Sequence, residues 1–320
     1  MEQFISALTC GDEEGILAAP KSDIHTHAGR SGHPAFISGR TGIDLPEPPH
    51  CFESLQHMHE WYTKNIKSVC DGIEGCLLRW EAGFAEAARN NIVRFAPSFT
   101  QSEIVSVGGM ERFVNILDAF RLRYCPDISF EPELAFTTYC DIDEELAGLD
   151  EVLGYGYFRS VDLNSGENIH PFSYYLPLYR KADEYGLVKK AHVGEFGTAD
   201  DIVRAAEKLG LDEIHHGIAA AKSDKVMKFL ADRDIQLNIC PSSNVMLKVV
   251  PDMKHHPIKT LVRNGVPVTI NTDDLLIFGR SLDKEYLMLY REGVLSAKEL
   301  DEIHLRGIRA AVKENRCADA

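Results

Sequence analysis

The chain has 320 residues, of which 44% are hydrophobic and 26% are charged, a balance typical of a soluble globular protein. The formal net charge of -15 argues against a nucleic-acid-binding or anionic-membrane surface, because such surfaces need clustered Lys and Arg. No apolar run is long enough to span a bilayer. Residues 1–5 lack the basic start and apolar run of a secretory signal, so we expect a cytoplasmic protein.

Eight cysteines are scattered along the chain without a Cys-x-x-Cys pair. We therefore expect reduced thiols rather than a disulfide framework. The same spacing argues against a cysteine-rich zinc site, and against the class of deaminases that combines His-x-Glu with Pro-Cys-x-x-Cys. The cysteines are Cys10, Cys51, Cys70, Cys76, Cys125, Cys140, Cys240 and Cys317.

Eight short apolar or β-branched runs alternate with helical patterns along the chain. This alternation predicts a parallel sheet, and eight such units in one chain predict a single (β/α)8 TIM barrel domain over residues 1–320. The predicted strands are Ser22–His27, Asn91–Phe99, Glu133–Cys140, Tyr157–Asn164, Val188–Glu195, Glu213–Gly217, Ile235–Ser243 and Pro267–Asp274.

Capping patterns mark several of the intervening helices. Thr198 with Asp201, and Ser296 with Glu299, have the spacing of a capping box, and Gly210 is suited to end the first of these helices. Ser223 is a further candidate N-cap. The predicted inward faces are Ile202, Ala205, Ala206 and Leu209, then Val226, Phe229 and Leu230, and finally Ile258, Leu261 and Val262 before Gly265.

The connection after the first strand, residues 33–70, is unusually long. Long loops at the carboxyl face of a barrel often carry function, so we interpret this segment as a lid or pocket wall. A surface excursion with one packed helix is the alternative interpretation.

Polar clusters stand at the ends of four predicted strands, the face on which barrel active sites lie. His25 and His27 share one side of the first strand, because residues i and i+2 of a strand point the same way. With His192 and Asp273 they form a candidate site for one Zn²⁺ ion, leaving space for a water nucleophile. Packed histidines are the alternative for each imidazole, and other divalent ions tolerate such ligands.

Three further residues are candidates for acid–base chemistry. Glu195 follows His192 after a glycine and is placed as a general acid, the alternative being a solvated carboxylate. His216 is a candidate to orient or deprotonate the water, although the role of its neighbour His215 stays open. Asp274 is a candidate to hold the water or a substrate nitrogen, the alternative being a charge at a helix N-terminus.

Taken together, these motifs resemble the adenosine deaminase family of the amidohydrolase superfamily in order and spacing. The motifs are His25-Thr26-His27, His192-Val193-Gly194-Glu195, His216-Gly217 and Thr272-Asp273-Asp274, supported by Arg94-Phe95-Ala96-Pro97 and Cys240-Pro241-Ser242-Ser243-Asn244. The resemblance implies a zinc-dependent barrel that hydrolyses the 6-amino group of adenosine to give inosine and ammonia. It implies zinc ligation by His25, His27, His192 and Asp273. Glu195 would protonate the purine ring, while His216 and Asp274 would position the water or the ring.

The chain departs from the family where the substrate would be recognised. Family members usually follow His-x-His with Leu-Asp-Gly, whose Asp helps to hold the ribose, whereas this chain has Ala28-Gly29-Arg30. The family's Asp-Leu-Ala-Gly corresponds here to Asp162-Leu163-Asn164-Ser165-Gly166, so Ser165 or Gly166 is expected to approach the purine.

These departures leave more than one substrate class open. The leading hypothesis is deamination of adenosine or a related 6-aminopurine nucleoside. The alternative is an anionic or modified adenine derivative, whose phosphate or carboxylate Arg30 would meet. A different amidohydrolase and a catalytically silent binding protein are further alternatives. We expect a small-molecule partner, no nucleic acid and no membrane, and the oligomeric state stays open.

Overall fold

The computed structural model describes residues 2–309, and its central feature is a ring of parallel strands. The strands are β1 (Lys21–His27), β2 (Ile92–Thr100), β3 (Ser129–Phe130), β4 (Glu133–Thr137), β5 (Ser160–Asn164), β6 (Val188–Val193), β7 (Glu213–His216), β8 (Gln236–Ile239) and β9 (Val268–Ile270). Eight of them pair in the order β1-β2-β4-β5-β6-β7-β8-β9, and the short β3 pairs with β2. A parallel bridge between Thr26 and Asp273 joins the two ends of this order, so the predicted (β/α)8 barrel is confirmed.

Helices connect the strands and cover the outside of the barrel. They are α1 (Glu2–Cys10), α2 (Glu13–Ala18), α3 (Pro34–Thr41), α4 (Leu55–Tyr62), α5 (Gly72–Arg89), α6 (Gln101–Ser106), α7 (Met110–Tyr124), α8 (Ile142–Leu146), α9 (Leu149–Gly154), α10 (Phe172–Glu184), α11 (Ala199–Leu209), α12 (Asp224–Asp232), α13 (Pro241–Met246), α14 (Ile258–Arg263), α15 (Leu275–Phe278), α16 (Leu282–Arg291) and α17 (Ala297–Ile308). Short 3-10 turns cover Ile218–Lys222 and Met253–His255, and a π turn covers Thr63–Lys67. None of the helices within residues 2–309 has the length and apolar character needed to cross a lipid bilayer.

The predicted caps are confirmed. Thr198 and Asp201 form a reciprocal capping box at the start of α11, and Gly210 ends that helix in the left-handed conformation. Ser296 and Glu299 form a second capping box at α17. Ser223 accepts a hydrogen bond from the Val226 amide at α12.

Six strands, β4 to β9, are shorter than predicted. Strand β8 ends at Ile239, since Pro241 occupies the first turn of a helix, where its fixed φ is favourable. Strand β9 ends at Ile270, although residues 271–274 remain buried. Strand β5 begins only at Ser160. The apolar runs therefore marked burial correctly but overextended the hydrogen-bonded strands, because burial alone does not distinguish a paired strand from a buried turn.

Residues 33–70 fold into α3, α4 and the π turn. Their buried side chains include Phe52, Met58 and Tyr62, which form a second apolar cluster with Leu276 and Phe278 just beyond β9. The segment thus packs on the carboxyl face of the barrel through its own small core. The seven cysteines within the described range are free thiols, and Cys317 lies outside it.

Candidate active site

The four predicted metal ligands converge at the carboxyl end of the barrel. His25 Nε2 lies 3.1 Å from His192 Nε2 and 3.9 Å from Asp273 Oδ1. The same carboxylate oxygen is 3.4 Å from His27 Nε2. Strands β1, β6 and the turn after β9 therefore bring together three imidazoles and one carboxylate, a donor set suited to Zn²⁺.

Hydrogen bonds to the outer ring nitrogens determine which atoms face the centre of this cluster. His25 Nδ1 donates to the Asn238 carbonyl at 2.9 Å, and His192 Nδ1 lies 3.1 Å from the Asp162 carboxylate. Both Nε2 atoms are therefore lone-pair acceptors when the rings are neutral, and burial lowers the pKa of His25 well below its usual value. Two lone pairs facing each other at 3.1 Å repel unless a cation lies between them. The residues therefore fit a metal ion, with Asn238 and Asp162 orienting two of the ligands.

Two residues of this site have a strained backbone. Asp273 and His216 both have φ near +60°, a conformation that is uncommon for residues other than glycine. Asp273 also uses its backbone to close the barrel, because its amide donates to the His25 carbonyl at 3.0 Å. The closing turn thus aims the Asp273 side chain at His25 and His27, and strain of this kind is frequent in functional sites.

Glu195 is buried beside the candidate ligands. Its Oε2 lies 3.5 Å from His216 Nε2, and its Oε1 has no hydrogen-bond partner in the part of the chain that the structure describes. Burial, together with nearby Asp273, Glu167 and Asp274, raises the pKa of Glu195 well above its usual value. The neutral acid is therefore favoured, which allows this side chain to donate a proton.

Glu167 holds the loop that carries Glu195. Its Oε2 accepts from the Gly194 amide at 2.8 Å, and its Oε1 accepts from the Glu195 and Phe196 amides at 2.8 and 2.7 Å. No sequence motif predicted this role of Glu167, because its three partners lie about one βα unit away along the chain.

The two adjacent histidines point in different directions. His215 lies in the barrel interior, where its Nε2 is 3.2 Å from Glu133 Oε1 and its ring stacks on His25 at 3.9 Å. His216 instead faces the site, with its Nε2 also 3.8 Å from Asp273 Oδ2. His215 therefore supports the floor of the site, whereas His216 contributes to its surface.

A buried hydrogen-bond chain determines the tautomer of His216. The Ile258 amide donates to His256 Nδ1 at 3.1 Å, and burial lowers the pKa of His256 to about 3, so the neutral ring carries its proton on Nε2. That nitrogen is 3.2 Å from Asn244 Oδ1, and Asn244 Nδ2 is 3.2 Å from His216 Nδ1. Asn244 thus donates to His216, whose own proton resides on Nε2 and points at the site.

Arg30 and Asp274 form a pair within the site. Arg30 Nη1 lies 2.8 Å from Asp274 Oδ2, and its guanidinium carbon is 5.1 Å from the centre of the Tyr62 ring. Asp274 Oδ1 has no hydrogen-bond partner among residues 2–309. Burial raises the pKa of Asp274, although Arg30 opposes that shift. The predicted cation and the predicted carboxylate therefore contact each other, and one carboxylate oxygen is left for a ligand.

One cavity of about 320 Å³, a size suited to a small ligand, lies at this end of the barrel. The site residues that line it are His27, Arg30, His192, Glu195, His216, Asp273 and Asp274. Segment 33–70 forms one wall through Leu55, Met58, His59, Tyr62 and Lys67. Of the two residues predicted to approach the purine, Ser165 lines the cavity and has φ of 88°. Gly166 packs against Tyr139, whose hydroxyl would lie 2.6 Å from a Cβ at that position.

Comparison with known proteins places this barrel in a family. The family model described as adenosine deaminase matches residues 143–318, more than half of the chain. The chain belongs to the adenosine deaminase family. It is a hydrolytic deaminase, as the sequence motifs predicted.

Relatives of this deaminase extend over most of its length. A putative adenosine/adenine deaminase of Treponema pallidum is 29% identical over 304 residues, covering 93% of this chain and 98% of the relative. The crystal structure of an adenine deaminase from Arthrobacter aurescens superposes with a TM-score of 0.79 at 26% identity, covering 93% and 95% of the two chains. A zinc-bound amidohydrolase from Burkhoderia ambifaria shares the fold, with a TM-score of 0.73 at 17% identity and coverage of 92% and 86%.

Proposed function

We propose that this enzyme deaminates adenosine or a related 6-aminopurine, using one zinc ion held by His25, His27, His192 and Asp273. The observation that carries the proposal is the pairing of that donor set with two unpartnered carboxylate oxygens in the same cavity. These are Glu195 Oε1 and Asp274 Oδ1, neither of which has a hydrogen-bond partner within the described range. A buried polar atom without a partner is costly, so both oxygens are suited to bind a ligand.

Zinc bound at this site would supply a water nucleophile that is active at neutral pH. Glu195 donates its proton to a ring nitrogen of the purine as water oxygen bonds to the amino-bearing carbon. Of the two protons of that water, one passes to the amino group, which leaves as ammonia when the carbon–nitrogen bond breaks, and the other restores the acid form of Glu195. The neutral state of Glu195 suits the donation, because an ionised carboxylate has no proton to give.

His216 acts as a hydrogen-bond donor in this proposal. Its Nδ1 accepts from Asn244 and its Nε2 carries the proton, while burial lowers its pKa to about 3. A neutral ring in this tautomer has no free nitrogen facing the cavity with which to accept a proton. Of the two roles considered from the sequence, orienting the water is therefore favoured over deprotonating it.

Asp274 and Arg30 recognise the purine in this proposal. Arg30 holds Asp274 Oδ2, so the carboxylate has one fixed orientation, and Asp274 Oδ1 accepts from an N–H of the ring or of the amino group. Ser165 lies on the wall of the same cavity and is proposed as a contact to the ring.

Ammonia release from a panel of 6-aminopurines tests the proposal. We expect the zinc-loaded enzyme to turn over at least one member of a set containing adenine, adenosine, their N6-methyl derivatives and adenine nucleotides. Cytosine, with its different ring, serves as the control. Absence of turnover on every purine by an enzyme with full zinc content would contradict the proposed function.

Asn244→Asp should lower kcat by about 10- to 100-fold, the usual cost of losing a partner that orients a site residue. Aspartate accepts where the amide donated, so it draws the His216 proton to Nδ1 and leaves Nε2 bare. Steady-state kinetics with zinc analysis measure the effect. Asn264→Asp on the exposed end of α14 is the matched control. A kcat within twofold of wild type for Asn244→Asp would refute the orienting role.

A further inference from the structure

Arg79 is a buried cation in the cavity wall, and no carboxylate among the described residues pairs with it. Arg79, on α5, is 7% exposed and lines the cavity. Its Nη1 donates to the Cys70 carbonyl. Among residues 2–309, its Nε has no hydrogen-bond partner and no carboxylate forms an ion pair with it. Burying a charged group costs free energy unless the charge is paired, so this guanidinium is suited to bind an anionic group of a ligand.

Other polar groups converge with Arg79 on the space in front of Gly29, two residues after His27. A Cβ at Gly29 would lie 3.8 Å from Arg79 Nε, 3.8 Å from the Tyr62 hydroxyl and 3.9 Å from Glu103 Oε1. Glycine therefore leaves open a small polar space between these three side chains.

The charges around this space sum to an excess of positive charge. Arg30 is paired with Asp274, so this pair adds no net charge to the space. Lys67 lines the same end of the cavity, with Nζ 5.7 Å from the Tyr62 ring centre, and like Arg79 it has no ion-pair partner in the described part of the chain. Glu103 is the opposing carboxylate, and its Oε2 is engaged by the Thr100 amide and hydroxyl at 2.8 and 3.1 Å.

We propose that Arg79 and Lys67 form an anion subsite for a phosphate or carboxylate group carried by the 6-aminopurine substrate. Guanidinium and ammonium groups together suit such an anion, the first through fixed N–H directions and the second as a mobile point charge. Glu103 Oε1 is then placed to accept from a hydroxyl of the same ligand. The inference rests on the proposed function, since it names the substrate class of that site.

The test compares adenosine, adenosine 5'-carboxylate and adenosine 5'-monophosphate as substrates of wild type and Lys67→Met. Lys67 is exposed, so its replacement should not disturb folding. We expect the better anionic substrate to exceed adenosine in kcat/KM, and Lys67→Met to reduce that preference by about 2- to 5-fold, the usual value of an ion pair exposed to solvent. Lys64→Met, on the same exposed turn but outside the cavity wall, is the matched control and should leave the preference unchanged.

The anionic compound with the higher kcat/KM shows whether the subsite prefers a carboxylate or a phosphate group. A wild-type preference for adenosine over both anionic compounds, or an anion preference that Lys67→Met leaves intact, would overturn the subsite. Arg79→Gln and Arg79→Lys provide a second comparison. Because lysine keeps the positive charge, Arg79→Lys should retain more of the preference for the anionic substrate over adenosine than Arg79→Gln.

Calorimetric binding separates this inference from the proposed function. Adenosine 5'-monophosphate and inorganic phosphate are titrated into wild type, Lys67→Met and Lys64→Met in the absence of turnover. Binding weakened by Lys67→Met alone supports the subsite even if no purine in the panel is deaminated. Equal binding by all three proteins overturns the subsite even if deamination is observed.

Discussion

Replacing Glu195 with glutamine should lower kcat by about 10²- to 10⁴-fold, the usual contribution of a positioned general acid. Glutamine has nearly the same shape and keeps an oxygen and a nitrogen in the position of the carboxyl group. It has no proton that it can transfer to a ring nitrogen. Because Glu195 lies beside the candidate ligands rather than among them, the zinc content should stay at the wild-type value.

The measurement is steady-state ammonia release together with metal analysis of the purified variant. Glu111→Gln, on the exposed face of α7, provides the same chemical change away from the site and should behave as wild type. If Glu195→Gln retained more than a tenth of the wild-type kcat with full zinc content, the role of Glu195 as proton donor would be wrong.

Asp273→Asn is expected to reduce both zinc affinity and kcat by more than the 10- to 100-fold that the loss of an outer partner costs. The substitution removes the negative charge that faces His25 and His27 at 3.9 and 3.4 Å. Asparagine tolerates the left-handed backbone that Asp273 adopts, so the closing turn of the barrel should survive. Zinc titration monitored by calorimetry, with circular dichroism as a check of folding, measures the effect.

Asp234→Asn is a close control for this experiment. Asp234 also has a left-handed φ, 51°, but it lies on the surface, where it pairs with Arg306 at 2.7 Å. The control should keep wild-type zinc affinity. Asp273→Asn with unchanged zinc affinity would show that this carboxylate is not a ligand.

Local sequence patterns were sufficient to predict the architecture and the convergence of the candidate site residues at one end of the barrel. Capping boxes such as Thr198 with Asp201 depend on neighbouring residues, so they are visible without a structure. His25 and His27 are two positions apart on one strand, and their shared direction follows from strand geometry. The strand-end placement of Glu195 and Asp273 follows from barrel topology, which brings all carboxyl ends of the strands to one face.

The supporting contacts were not predictable in this way, because they join residues far apart in the chain. The hydrogen-bond chain from Ile258 through His256 and Asn244 to His216 joins the start of α14, helix α13 and the end of β7, and no spacing rule connects these three elements. Arg30 and Asp274 are 244 residues apart in the sequence, so their ion pair, which compensates the charge of Arg30, was not predictable. Arg79 appears in the sequence as an ordinary helical arginine, and only its burial without a carboxylate distinguishes it.

Some sequence-based predictions stay predictions. The single-domain organisation over residues 1–320 includes residues 310–320, which lie outside the described range. The cytoplasmic location, the oligomeric state and the absence of nucleic-acid or membrane partners also await experiment.

The central claim, that one zinc ion at the four convergent ligands supports deamination of a 6-aminopurine, is tested most directly by titrating the metal-free enzyme with zinc. Ammonia release from the best purine substrate is followed at each addition. We predict no activity without metal and a linear rise that ends at one zinc per chain. Full activity in the metal-free enzyme, or a rise that continues to two zinc ions per chain, would contradict the account.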